Sequence, residues 1–201
     1  MQNKYYADNR DLVKWSVLIR LAEQYKLSRI IQVAYLRPSF FDKIDIAGQK
    51  MELPPQVLAH FRNMRDITAI HTDHTEISIS VFDRKFDNRK TYHNDLRQFL
   101  AAFGAERRLV FLDPDTGLQP AGGFNFKHVL CTEARAIWSQ LNKNEVFAFY
   151  QHKTLFTGGT CWCEKKRTQL EKAIEVGKGV VLVGQSPRIA NDVVIFFAVK
   201  L

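Results

Sequence analysis

The chain has 201 residues, is 46% hydrophobic and carries a formal charge of +8. That length fits one domain able to bury a core without disulfide or metal support. With no run of about 18 apolar residues, a membrane span is not expected. The first ten residues, Met1 to Arg10, are polar and lack the apolar stretch of a secretory signal, so the expected location is cytoplasmic. Three cysteines, Cys131, Cys161 and Cys163, make neither a disulfide framework nor a two-residue metal knuckle, and read as reduced thiols. The excess of 29 basic over 21 acidic side chains makes a polyanion, and nucleic acid first, the natural partner.

The first element is a helix over 11–25. Leu12, Trp15, Leu18, Ile19 and Ala22 follow a helical period, and Asp8 or Asn9 can cap it. Arg29 to Leu36 is β-branched and apolar, a buried strand closed by Arg37-Pro38. The mixed stretch 39–55 reads as a long loop or insertion, and 56–64 as a short helix. Ile77, Ile79 and Val81 alternate with serines, a strand over 75–82. Leu96, Phe99, Leu100 and Phe103 fall on one helical face over 88–103, with Gly104 as the stop. A central strand at 108–112, a helix at 132–141, a buried strand at 146–150, a helix at 164–176 and two closing strands at 180–183 and 192–199 complete the chain. Strands alternating with helices imply a mostly parallel sheet covered on both faces, a three-layer Rossmann-like α/β domain. The last two strands are joined too tightly for a helical crossover and should pair as an antiparallel hairpin. A parallel sheet with such an ending is the layout of methyltransferase-like folds.

In parallel sheets ligands bind beyond the carboxyl ends of the strands. Two ends here are polar. The apolar strand 108–112 runs into Asp113-Pro114-Asp115-Thr116-Gly117, two carboxylates beside a stiffening proline and a permissive glycine. The same five residues also suit a β-turn, and both readings stay open. The strand from Val146 ends in Tyr150-Gln151-His152-Lys153, which offers a stacking ring, an amide, an acid–base group and a phosphate contact. Near the start, Asp11 and Lys14 share one helix face, either as part of a site or as an ordinary ion pair. His71, Asp73 and His74 are metal-ligand types at adjacent spacing, or simply a solvated loop, and Arg84, Lys85, Arg89 and Lys90 form a basic cluster that could track a phosphate backbone or be a solvated helix entrance. No GxGxxG, P-loop, GxSxG or HExxH occurs, and no glycine follows the first strand.

Taken together, Asn9-Arg-Asp11-Leu-Val-Lys14-Trp15, the strand ending in Asp113-Pro114 and the following strand to Lys153 resemble the adenine-N6 methyltransferases of large-subunit ribosomal RNA. Asp8, Asp11, Lys14, Asp113 to Leu118 and Tyr150 to His152 are also similar to a group of uncharacterised prokaryotic proteins with a Leu-Asp-Pro-Asp-Asn-Gly-Leu core, which bring no established activity. The first resemblance implies S-adenosylmethionine as cofactor and a flipped-out base as substrate. In it Asp113 accepts hydrogens of the target amino group, and Tyr150 or Phe156 stacks on the base. Asp115 and Thr116 stand where that family has proline and an aromatic ring. Two further readings stand beside it. One is a metal-dependent nuclease or phosphoester hydrolase with a divalent cation on Asp113 and Asp115 and Lys153 on the phosphate. The other is a non-catalytic nucleic-acid-binding module. The candidate catalytic set is Asp113, Asp115 and His152. Pro114, Thr116, Gly117, Tyr150, Gln151 and Lys153 form the substrate set, and Asp8, Asp11 and Lys14 the N-terminal motif.

Overall fold

A computed structural model describes residues 8–37, 44–57, 64–70, 77–153 and 161–201. Among them lie the α-helices α1 (Asn9–Gln24), α2 (Arg89–Ala101), α3 (Cys131–Trp138) and α4 (Trp162–Ala173). Ten strands accompany them: β1 (Arg29–Val33), β2 (Ile44–Ile46), β3 (Gln49–Met51), β4 (Ser78–Phe82), β5 (Arg108–Leu112), β6 (Gly117–Leu118), β7 (His128–Val129), β8 (Val146–His152), β9 (Leu182–Ser186) and β10 (Ala190–Val199). None of the described helices is long and apolar enough to cross a membrane.

Six strands form one sheet in the order β4-β1-β5-β8-β10-β9. The pairs from β4 to β8 are parallel. β10 runs antiparallel to both neighbours, β8 and β9. The closing pair is therefore the antiparallel hairpin expected from the short connection, and its second strand inserts between β8 and β9.

The central strands are apolar on both faces because both are covered. Side chains alternate across the sheet. Leu109 and Phe111 of β5 join Val13, Trp15, Leu18 and Ala22 of α1 in one core, whereas Val110 and Leu112 join Leu96 of α2, Ile137 of α3 and Leu170 of α4 in the other. Each fully buried phenylalanine, such as Phe111, Phe147, Phe149 or Phe196, contributes about 1.5–3 kcal/mol. Asp8 starts α1 by accepting from the backbone amides of Arg10 and Asp11 at 2.8 and 3.1 Å. Asn88 does the same for α2 through the Thr91 amide. α1 comes so close to β9 that a Cβ on Gly184 would meet the Val17 side chain at 2.6 Å.

The stretch expected to be a loop over 39–55 instead contains the hairpin β2–β3, turning at Ala47-Gly48. Its strands are three residues each and β3 is exposed, so no buried face marked them in the sequence. Of the helix expected over 56–64, only its start is described, and a 3-10 helix follows at Met64–Ala69. The short pair β6–β7, two residues per strand, also escaped the sequence pattern.

Candidate functional site

The parallel strands and β9 all end at one edge of the sheet, where the chain also enters α1 and β10. Alternation delivers Gln32 of β1, Asp113 beyond β5, and Tyr150 and His152 of β8 to the face covered by α1. There Asp113 is only 1% exposed. The Lys14 ammonium, one helical turn past Asp11, is 2.5 Å from the Asp11 carboxylate and 3.0 and 3.3 Å from the two oxygens of Asp113. Gln32 donates its amide to Asp113 Oδ2 at 2.8 Å. The ammonium also lies 5.2 Å from the centroid of the Tyr150 ring, a cation–π distance.

Burial alone would push Lys14 down, but the carboxylates of Asp113 and Asp11 hold it above the ordinary lysine value. Burial raises the Tyr150 phenol, with Asp113 adding to the effect and Lys14 opposing it. At neutral pH Lys14 is therefore an ammonium and Tyr150 a neutral donor. The Asp11–Lys14 pair is not the exposed helix-face ion pair that spacing also allowed; both side chains are buried.

The segment after Asp113 is fixed separately. Asp115 turns to Arg37 beyond β1, which grips one carboxylate oxygen with Nε at 2.7 Å and with a second guanidinium nitrogen. Gln151, pointing to the sheet face opposite Tyr150, accepts from the Leu118 amide at 2.9 Å and donates to the carbonyls of Thr116 and His152 at 3.1 and 2.9 Å. Gly117 has φ +124°, and a Cβ there would lie 2.4 Å from the Gln151 side chain. Lys166 of α4 donates to the carbonyls of Leu118 and Gln119. The Asp113–Gly117 segment is thus a turn pinned by side chains at the end of a central strand.

His152 Nε2 lies 3.1 Å from Asp192 Oδ2 at the start of β10, and the same oxygen accepts from Arg10 Nε and Nη2 at 3.1 and 2.5 Å. Asp8 binds Arg10 as well as capping α1. Arg10 and Asp192 border an open groove of about 610 Å³ whose other wall is Pro187 to Asn191. Burial would raise Asp192, but the hydrogen bond and charge of Arg10, then His152, hold it below the ordinary aspartate value. A depressed carboxylate stabilises the fold fully above its unfolded value and loses that contribution as pH falls through the folded one. Thermal unfolding of the wild type and of Asp192→Asn should therefore differ most at neutral pH and converge below about pH 4. A gap that persists unchanged to pH 3 would contradict this.

Asp11, Lys14, Asp113 and Tyr150 come together as one cluster. His152 and Asp8 meet at Asp192 and Arg10 beside it. Asp115, Gln151, Thr116 and Gly117 belong to the pinned turn, Pro114 is buried at its start, and Lys153 is exposed, its amide donating to the Asp192 carbonyl. Phe156 and the His71, Asp73, His74 trio lie outside the described residues. Sequence reasoning missed Gln32, Arg37, Arg10 and Asp192. Only Gln32 left a signal, a lone amide inside the apolar run of β1.

Among the described residues no group of three His, Cys, Asp or Glu side chains is placed to hold a metal. Asp113 and Asp115 each face a cation of the chain itself. The described part of the turn after β1 is filled by packed side chains. Tyr35 sits there at φ +45°, fully packed, its amide donating to the Tyr92 hydroxyl at 3.0 Å, and the Leu36 carbonyl accepts from the Phe86 amide at 2.6 Å. Comparison with known proteins found no matching family model, no matching curated protein and no matching solved structure.

Proposed function

We propose that this chain is a Rossmann-like, methyltransferase-like module that binds nucleic acid at the carboxyl edge of its sheet and holds Asp113 as a fixed structural anion. The engagement of Asp113 carries this reading. Both oxygens already accept from Lys14, one also from Gln32, and the carboxylate is buried, so an incoming amino group would have to compete with these donors for it. The strand order, with a single antiparallel strand inserted next to the last parallel one, supports the fold class. Tyr35, buried in the turn after β1, speaks against close approach of S-adenosylmethionine there.

The partner follows from charge. Strand ends across the sheet deliver basic residues to one edge: Arg37 after β1, Arg84 and Lys85 after β4, Lys153 after β8 and Arg188 after β9. Arg37, Arg84 and Lys85 pair with Asp115, Asp95 and Asp87, whereas Lys153 and Arg188 are exposed. Affinity for RNA or DNA measured over a salt series should fall linearly in log–log form, and removing Lys153 or Arg188 should flatten the slope by about one ion each. Salt-insensitive or absent binding would end this reading.

The second reading is an S-adenosylmethionine-dependent methyltransferase acting on nucleic acid. The position of Asp113 favours it, at the carboxyl end of a central strand with the Tyr150 ring in the same cluster. In it Asp113 would accept hydrogens of the amino group and Lys14 would keep the carboxylate ionised. Calorimetry with S-adenosylmethionine and with its demethylated product separates the two: no heat is expected, and saturable heat with either compound would move the assignment to the enzyme. A divalent metal on Asp113 and Asp115 is the weakest reading, since it would have to displace Lys14 and Arg37.

A further inference from the structure

We infer that Phe124 and Phe126 form a stacking platform for unpaired bases, so that the nucleic acid taken at this edge is single-stranded. The inference rests on the nucleic-acid reading above and deepens it. Both rings lie in the segment between β6 and β7, which is tied to the strand-end loop by the Thr116 amide donating to the Lys127 carbonyl at 3.1 Å. They are 57% and 42% exposed in a segment that buries almost nothing else. Two large apolar rings left in water cost free energy unless they meet a partner.

Their exposure is held in place. Arg89 at the start of α2 donates to the carbonyls of Asn125 and His128 at 2.7 and 2.9 Å, one residue beyond each phenylalanine or two. Its other guanidinium nitrogen makes two 2.8 Å bonds to the buried carboxylate of Glu133. Burial would raise Glu133, but His93, the Leu130 amide and Arg89 hold it below its ordinary value, so this anchor stays charged. The guanidinium also lies against the rings of Phe86, Phe124 and Phe126, with its carbon 4.9, 5.4 and 5.3 Å from their centroids. Phe126 further meets Phe86 edge-on at 5.3 Å, and Phe86 packs on Tyr35 at the end of β1. The platform is therefore braced from below and continuous with the carboxyl edge of the sheet.

The surroundings choose the occupant. Lys127 follows Phe126 directly, Lys90 follows Arg89, and Lys85 precedes Phe86; all three are exposed. Aromatic faces interleaved with ammonium groups match the alternation of bases and phosphates in a single strand. A duplex keeps its bases stacked on one another and has no free face to offer these rings. A purely apolar protein partner would offer no countercharge to Lys127 and Lys90.

The test compares a single-stranded oligonucleotide with a duplex of the same length and strand sequence, by fluorescence anisotropy at two salt concentrations. Base–aromatic stacking is worth about 1–3 kcal/mol per base, so removing one ring should weaken single-strand binding roughly tenfold and removing both roughly a hundredfold. Phe124→Leu and Phe126→Leu, alone and together, should produce these losses and leave duplex binding and the salt slope unchanged. Phe124→Tyr with Phe126→Tyr, which keeps both rings, should bind as the wild type does. Photo-crosslinking of the single strand should map to the 124–127 segment. If the leucine variants bind single strands normally while Lys153→Ala and Arg188→Ala weaken binding, the platform is wrong and the nucleic-acid reading stands. If no oligonucleotide binds the wild type, both fall.

Discussion

Replacing Lys14 with methionine should destabilise the fold by about 3–5 kcal/mol, because it strands buried carboxylate with no countercharge. Lys14 is the side chain that Asp113 and Asp11 share, and all three are buried. At this chain length such a loss should lower the unfolding midpoint by roughly 10 °C. Asp113→Asn should cost less, since Lys14 keeps Asp11 and an amide still fills the space. Differential scanning calorimetry of the wild type and the variant checks this. A deficit that a second change, Asp113→Asn, leaves untouched would show that lost packing of the lysine stem explains the effect. The Lys14→Met, Asp113→Asn double variant should recover part of the loss, with a coupling of about 0.5–3 kcal/mol.

The second large effect is expected at Gly117. Alanine there must adopt φ +124° and must also displace Gln151, whose side-chain atoms would lie 2.4–2.5 Å from the new methyl group. Strain in that backbone region costs about 1–3 kcal/mol. Displacing Gln151 also breaks the two hydrogen bonds that hold the Thr116–Leu118 backbone to β8 and a third to the His152 carbonyl, each leaving a polar group to be resatisfied. Gln151→Ala opens the space without touching the dihedral. Chemical denaturation of the two single variants and their combination therefore separates the contributions. The combined variant should be more stable than the sum of the singles predicts, because the clash no longer exists, yet less stable than Gln151→Ala alone. Strict additivity would mean that the glycine and the glutamine do not meet.

The sheet was legible where its residues carry a period. Phe111 and its neighbours form an apolar run that only a strand covered on both faces needs, and the tight connection before β10 forced an antiparallel pair. The hairpin β2–β3 was not legible, because three-residue strands with an exposed face leave no alternation to read. At the site, Asp113 and Tyr150 could be singled out by position at strand ends. Their partner Lys14 was visible only as a helix-face neighbour of Asp11, since nothing local reveals a contact across 99 positions of chain. Gln151 shows the opposite failure. Its place beside Tyr150 suggested a ligand contact, yet period-two alternation turns it to the other face, where it holds the loop of Gly117. Phe124 and Phe126 carried no pattern at all, as a loop aromatic looks the same in sequence whether it is buried or presented.

Because β10 lies between β8 and β9, the order in which strands are synthesised differs from the order in which they can join. β9 leaves the ribosome first but has only β10 to bond with in the sheet, so it must wait unpaired until the following strand slots in beside β8. During that interval the edge of β8, with Phe147 and Phe149, is open to any other extended chain nearby. Premature termination anywhere in 190–199 would leave that interval permanent, and the shortened product should aggregate instead of folding into a smaller version of the domain.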